Sequence, residues 1–250
     1  MKVLVCLKQV PDTEANIKVA DDGKSISESG IKFIINPYDE FALEEALKLK
    51  DEGRAQTVSV ISLGPSRTME ALRSALAMGA DEALLLRCNS WLLDGLATAR
   101  ILAAEIAASG ADLVLTGKEA IDDGHMQVGP MLGQLLGMPS VSVVTGLEIE
   151  GTIATAEREV EGGIEVVKLP LPCVVTCQKG LNEPRYPSIR GVMMAKKKTI
   201  PEKEVDPPES KIVISSLGIP PARSGGVVIG EGPEAVDKLV ELLRHEAKVI

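Results

Sequence analysis

The stretch LVLTGKEAIDDGHMQVGPMLG, residues 113–133, is the strongest chemical signal in the chain. It holds two adjacent carboxylates, Asp122 and Asp123, one imidazole, His125, and a glycine-punctuated run from Gln127 through Val128 and Gly129 to Pro130. Leu113–Thr116 has the unbroken apolar character of a buried strand, Gly117–Gly124 that of a polar loop, and a short helix is expected from near Gln127 to near Gly137. In an open parallel sheet, ligands sit beyond the carboxyl ends of the strands, where helix N-termini offer free N–H groups to anions. A phosphate-bearing ligand fits such a place. Two more strand-end loops are positioned to meet it, Asn36-Pro37-Tyr38-Asp39 and Leu63-Gly64-Pro65, and Cys6 on the first strand would line the floor. The alternative is architectural: Asp122 and Asp123 cap a helix, and Gly129 permits close packing.

No catalytic constellation accompanies this loop. The sequence has no GxSxG elbow, no Walker lysine loop and no HExxH pair. Its four cysteines, Cys6, Cys88, Cys173 and Cys177, form no CxxC motif. Cys173 and Cys177 belong to a strand-like PCVVTCQ, which would hold them on one face about 13 Å apart, too far for a shared metal or a disulfide. Reduced, buried thiols and no metal are expected. A net charge of −9 argues against nucleic acid, which demands a basic footprint. The five aromatic residues, Phe33, Tyr38, Phe41, Trp91 and Tyr186, are too scattered to make a stacking platform.

The elements that would position these residues alternate strand and helix. Val3–Val10 reads as a first strand stopped by Pro11. The segment opening at Asn36-Pro37 is a helix start, with a capping residue, proline at the first position and Asp39 and Glu40 at the positive end. A strand at Thr57–Leu63, a helix ending at Gly79, a strand at Ala83–Leu86 and the alanine-rich helix Gly95–Ala108 follow. Apolar strands separated by amphipathic helices imply a doubly wound parallel α/β sheet covered on both faces. From Ser140 the rhythm becomes that of hairpins: Ser140–Ile149 and Thr152–Glu159 flank Glu150-Gly151, and Ile164–Leu169 comes after Gly162-Gly163. An antiparallel addition to the sheet is expected there. Residues 1–200 would make this domain. Residues 201–250, opening on a Pro- and Glu-rich linker, would form an extended C-terminal arm with a short strand at Lys211–Ser215 and an amphipathic helix at Pro233–His245. Such an arm is too small for its own core and must dock on this domain or on another chain, a partner subunit being the expected one.

The N-terminal MKVLVCLKQV lacks a cleavage site and is interrupted by Lys8 and Gln9, so it reads as a strand of a cytoplasmic protein. The loop KGLNEPRYPS, residues 179–188, sets a large aliphatic, Leu181, among glycine, prolines and charges. Either Leu181 tucks onto its own domain or it is kept for another protein.

Three stretches, GKEAIDDGHMQVGP (117–130), REVEGGIEVVKLPLPCVVT (158–176) and LNEPRY with MMAKKK (181–186 and 193–198), together resemble the beta subunit of the electron-transfer flavoproteins. The resemblance extends to the opening VLVCLKQVPD and the NPYD helix start. It implies a Rossmann-like, adenine-nucleotide-binding fold and a heterodimer with an alpha subunit that carries redox-active FAD. It implies an electron carrier rather than a stand-alone enzyme, reduced by acyl-CoA and related dehydrogenases and oxidised by a membrane quinone oxidoreductase. Carried over by position, the nucleotide contacts are Cys6, Asn36, Pro37, Tyr38, Asp39, Leu63, and Asp122, Asp123, Gly124, His125, Met126, Gln127, Val128, Gly129, Pro130, Met131, Leu132 and Gly133. The segment Leu181, Asn182, Glu183, Pro184 and Arg185 corresponds to a recognition loop. Leu181 is its expected plug for an apolar pocket on the dehydrogenase, and Arg185 has the character of a structural ion-pair member.

One departure bears on the nucleotide. Members holding AMP tend to read D-D-x-x-N-Q-T-G-Q-M through the phosphate segment, whereas a bifurcating branch, with a second FAD that takes hydride from NADH, reads more like D-G-D-T-A-Q-V-G-P. This chain pairs the double Asp of the first with the Gln-Val-Gly-Pro of the second. Val128 withdraws a hydroxyl and Pro130 an N–H from the phosphate side. REVEGG and LNEPRY lie nearer the AMP type, so AMP is the expected ligand and a second FAD the alternative. From another class altogether, a small adenine-nucleotide sensor of the universal-stress type would suit the same sheet pattern.

Overall fold

The structure is a computed structural model that describes residues 1–88, 93–222 and 225–250. It divides into two units, Met1–Leu217 and Gly218–Ile250. The first is built on a nine-stranded sheet. Strand β1 (Lys2–Leu7) lies at its centre, and a small ribbon of β2 (Gln9–Pro11) and β3 (Phe33–Ile35) follows it in sequence. Next come helix α1 (Pro37–Asp51), β4 (Thr57–Gly64), α2 (Met69–Met78), β5 (Glu82–Arg87), α3 (Gly95–Ser109), β6 (Leu113–Gly117) and α4 (Val128–Leu136). The antiparallel strands β7 (Ser140–Glu150), β8 (Ile153–Val160) and β9 (Gly163–Pro170) are followed by β10 (Cys173–Cys177), α5 (Ile189–Lys197) and β11 (Glu202–Glu204). The strand order is β11-β5-β4-β1-β6-β10-β7-β8-β9. Pairing is parallel from β11 through to β7 and antiparallel beyond it.

The period-2 alternation of the central strands is what covers both faces. Val3, Val5 and Leu7 of β1 join one core cluster, with Leu43, Ala46 and Leu47 of α1 and Leu72 and Ala75 of α2. Leu4 and Cys6 join the other, with Ile101, Leu102 and Ile106 of α3 and Leu132 of α4. β6 and β10 divide the same way: Leu113, Leu115, Cys173, Val175 and Cys177 face the first cluster, Val114 and Val174 the second. A strand with no polar face is stable only between two layers of helices. All four cysteines are buried. Among the described residues, no helix is long and apolar enough to cross a membrane.

Several expectations are corrected in detail. The first strand breaks at Lys8, after which Gln9–Pro11 leaves the sheet to pair with Phe33–Ile35. Lys211–Ser215 forms no strand, because its backbone meets no neighbouring ladder; the N–H groups of Lys211 and Ile212 go instead to the Asp94 carboxylate. β11 pairs with β5 and the Leu217 N–H bonds to the Gly23 carbonyl. The first unit therefore runs past the linker, to Leu217. The second unit carries helix α6 (Val236–His245), entered through a tighter turn at Pro233–Ala235.

Leu181 is buried, with 9% of its surface exposed, and belongs to the same core cluster as α1 and α2. It is a packing residue of this chain and not an exposed plug. Leu181→Ala is expected to lower unfolding free energy by about 2–5 kcal/mol, the cost of deleting a buried leucine side chain. Urea unfolding of the variant measures it, and a loss below about 0.5 kcal/mol would contradict the packing role.

Candidate functional site

The chain runs from β1 outward to β4 and β5, then returns to place β6 on the other side of β1. The carboxyl ends of β1 and β6 are therefore the switch point of the sheet, where neighbouring loops diverge and leave a crevice. Lys8 follows β1 there and the loop 118–127 follows β6. Both are tied to the start of α1.

Asp39, in the first turn of α1, makes the tie. One carboxylate oxygen accepts from the Lys8 N–H at 2.6 Å and the other from the Gly117 N–H at 2.9 Å, so a single side chain joins the ends of β1 and β6. Asn36, immediately before α1, holds the loop itself. Its amide donates to the Glu119 carbonyl at 2.8 Å and its oxygen accepts from the Ile121 N–H at 3.1 Å. The Asn36 N–H in turn bonds the Lys8 carbonyl at 2.9 Å. Beyond Asn36 and Asp39, the Lys8 ammonium reaches Asp122 at 2.8 Å and Asp123 at 2.9 Å. The Asp123 carboxylate also accepts from the His125 N–H at 3.0 Å. Tyr38 stands beside this network, with the Lys118 ammonium 4.8 Å from its ring centre.

The electrostatics follow from burial set against these partners. Burial pushes the Asp39 carboxyl up to about 7, against the opposing pull of the Lys8 and Gly117 N–H groups, Asn36 and the Lys8 charge. Burial, and then Asp39, hold the Cys6 thiol protonated far above its ordinary range. Burial acts similarly on Cys177, with Glu45 and Asp39 adding to it. Burial works against the Lys8 ammonium, but Asp122 and Asp123 more than offset it and raise its pKa. Asp123 is the mirror case: burial opposes its charge, and Lys8 and the His125 N–H bring its pKa below the usual carboxylate value.

At the far wall, α4 begins at Val128 with no side chain capping its N-terminus. Free N–H groups at the head of a helix are an anion site in waiting. Gly129 is what brings them close: a Cβ there would stand 2.3 Å from Thr176 Cγ2 on β10, so only glycine lets the helix start against the strand ends. The uncapped turn, the Lys8 ammonium and the flanking loops suit a phosphate group.

The expected contacts sort themselves by this geometry. Asp122, Asp123, Gly124, His125 and Met126 are exposed around the crevice; Pro37, Tyr38, Leu63, Gln127, Val128 and Met131 are half-buried, and Pro130 is exposed. Asn36 and Asp39 are buried with their side chains already bonded within the chain, so they position the loops. Cys6 is buried in the second core cluster, as is Leu132, and a Cβ at Gly133 would meet Ser140 at 2.7 Å, so these three serve packing. Sequence reasoning missed Lys8, whose separation of over 110 residues from its two aspartates no local pattern reveals.

The segment after β10 is likewise bound to its own chain. Asn182 donates to the Phe41 carbonyl at 3.0 Å and to Glu45 at 2.8 Å, and Arg185 pairs with Glu44 at 2.8 Å and Asp51 at 2.9 Å. Arg185 is thus an ion-pair member within the chain, and Asn182 and Leu181 are bonded or packed against its own core. What stands out instead is Tyr186 at 95% exposed, Ile189 at 84%, Met193 at 61% and Met194 at 53%. The signal for Ile189 was present: Ser188 is a capping residue, and its hydroxyl accepts from the Gly191 N–H at 3.0 Å to start α5.

A doubly wound α/β domain with a crevice at its switch point and an antiparallel extension is thus the class of protein that this fold and site define. Within that class, the Electron transfer flavoprotein domain matches residues 24–208. Electron transfer flavoprotein subunit beta of Syntrophomonas wolfei subsp. wolfei is 43% identical over 250 residues, covering 100% of this chain and 98% of its own length. The protein of the same name in Bacillus subtilis is 43% identical over 260 residues, covering both chains in full. The mitochondrial subunit beta of Arabidopsis thaliana is 38% identical over 257 residues, again covering both chains in full. The chain belongs to the electron transfer flavoprotein family.

The buried carboxylate makes a pH prediction. Because the folded pKa of Asp39 lies above its ordinary value of 3.8, its contribution to stability is fully present below that value and is lost as pH rises through about 7. Relative to Asp39→Asn, the unmodified chain should lose roughly 4 kcal/mol of stability between pH 4 and pH 8, at about 1.4 kcal/mol per pKa unit. Parallel stability profiles of the two proteins across that range would contradict it.

Proposed function

We propose that this chain is the beta subunit of a heterodimeric electron carrier. In this reading it binds AMP in the switch-point crevice as a structural ligand. Its alpha partner carries the FAD that takes electrons from acyl-CoA or related dehydrogenases and gives them to a quinone oxidoreductase. The observation that carries the reading is the convergence of three strand-end segments on the uncapped start of α4, joined by Asn36, Asp39 and Lys8. The subunit naming of the relatives supports the alpha partner. So does α6, whose Val236, Leu239 and Val240 are 51%, 41% and 36% exposed, an apolar stripe of the kind that another chain covers.

Within the crevice, the N–H groups heading α4 would face the phosphate, with Tyr38 and Leu63 at the sides for the adenosine. Lys8 offsets the charge of Asp122 and Asp123, without which two carboxylates would repel the phosphate. AMP supplies no redox chemistry there. Its contribution is a dianion held between segments that otherwise have only each other. A second FAD is the alternative that Val128 and Pro130 favour, because they remove a hydroxyl and an N–H from the phosphate side. Heat or acid extraction of the purified complex, followed by mass identification, decides: one AMP per chain is expected, a second FAD would move the chain to the bifurcating type, and neither would remove the crevice from the account.

The recognition role passes from Leu181 to Ile189, the exposed aliphatic at the head of α5. Burying one such side chain in a partner's pocket is worth about 1.5–3 kcal/mol, so Ile189→Ala should slow flavin reduction by a dehydrogenase roughly tenfold or more at limiting concentration. FAD content should not change. Stopped-flow reduction of the heterodimer at the unmodified rate would refute the assignment.

A further inference from the structure

We infer that α5 is a rigid, preorganised platform, and that Arg73 and Lys198 are the positioning residues that hold it, Arg73 from α2 on the C-terminal carbonyls of α5 and Lys198 from the end of α5 on the turn after α2. This rests on the reading of α5 as the docking element and concerns how that element is kept in shape. The C-terminal end of α5 and the turn that follows α2 are each held by a cation from the other's stretch of chain, beyond what their own backbone bonds supply. Arg73, on α2, donates to the Ala195 carbonyl at 2.7 Å and, more weakly, to the Lys198 carbonyl at 3.4 Å. Lys198, at the end of α5, donates to the carbonyls of Ala80 and Asp81 at 3.0 and 2.8 Å, just past the end of α2. Positive charge at a helix C-terminus also complements the helix dipole.

The contact between the helices is closer than side chains allow. A Cβ on Gly191 would stand 2.2 Å from the Ala77 carbonyl oxygen, so glycine is required where α5 meets α2. Ala195 and Ile200, at 1% and 7% exposed, are the only buried apolar side chains from 189 to 200. At the other end of the segment, Leu181, Asn182 and Arg185 are fixed on α1 as described above. Residues 181–200 are therefore pinned at both ends, and only the middle projects Tyr186, Ile189, Met193 and Met194.

The physical consequence concerns binding. A nine-residue helix has little stability of its own, and a side chain presented on a floppy segment must be ordered at the moment of docking, which weakens association. Clamping α5 in advance removes that penalty without adding any contact to the partner. Arg73 is half-buried and its bonds go to the C-terminal end of α5, so its effect on docking is expected to pass through α5.

The test compares Arg73→Met, which keeps the apolar stem and removes both bonds, with Arg73→Lys, which can still reach one carbonyl. Hydrogen exchange of the full-length chain should show amides 192–198 exchanging roughly tenfold faster in Arg73→Met, as expected for loss of charge-assisted hydrogen bonds, with β1 and β6 unchanged. Arg73→Lys should restore most of the protection. Unaltered exchange in α5, or an equal acceleration everywhere, would overturn the clamp. Should Arg73→Met fail to fold, Lys198→Met removes the reciprocal contact and is expected to loosen the same amides. Reduction of the heterodimer by a substrate-reduced acyl-CoA dehydrogenase is then measured for Arg73→Met beside Ile189→Ala. A slowed Ile189→Ala with an unslowed, loosened Arg73→Met sinks the positioning role alone. An unslowed Ile189→Ala sinks the docking reading, and the exchange data still judge the clamp.

Discussion

One buried carboxylate organises the crevice. Asp39 bonds the first residue after β1 and the last residue of β6, the two strands that flank the switch point. Its position in the first turn of α1 couples this junction to the helix below it. The arrangement is costly, since desolvation holds the group near neutrality, and two backbone donors are what make a carboxylate tolerable there. The site thus rests on a carboxyl whose burial favours the proton while its two backbone donors favour the charge, a conflict tolerated where loop geometry must be exact to a fraction of an ångström.

Lys8 extends the same logic outward. It is the residue whose N–H Asp39 accepts and whose ammonium spans Asp122 and Asp123. Backbone and side chain of one residue therefore bind the inner and outer rims of the crevice. The ion pairs are partly exposed and individually modest in energy. Their value is geometric: they draw the loop 118–127 over the end of β1 and cancel the carboxylates that an incoming phosphate would meet.

The sheet was legible in the sequence because both faces of its central strands are buried. Unbroken apolar runs such as Leu113–Thr116 have no other stable home, and the hairpins at 150–151 and 162–163 carried their turn glycines in plain view. The β2–β3 ribbon was not legible, since its three-residue strands show no period and twenty-one polar-rich residues separate them. α5 was hidden by Pro184, Pro187 and Gly191, three residues that argue against a helix. Pro187 falls just before the capping Ser188, and Gly191 is inside the helix because the Ala77 carbonyl is against it. Lys211–Ser215 is the converse case, a β-branched pattern without a partner strand. The loops at the crevice were legible as strand ends, but the division of labour among their residues depends on long-range bonds such as Asn36 to Glu119 that no window of sequence contains.

The charge on α5 runs against that of the chain as a whole. Ile189, Met193 and Met194 share their short helix with Arg190, Lys196 and Lys197, all exposed, on a protein whose formal net charge is −9. At physiological ionic strength, exposed charges are screened beyond about 8 Å. A molecule approaching α5 therefore experiences its local cations and hardly any of the distant carboxylates. An apolar tip ringed by positive charge favours a pocket with an acidic rim and disfavours a second copy of this helix, whose own cations would be set against it. In the docking role proposed for α5, the apolar side chains would provide the binding area and the surrounding charges would decide which surfaces are admitted to it.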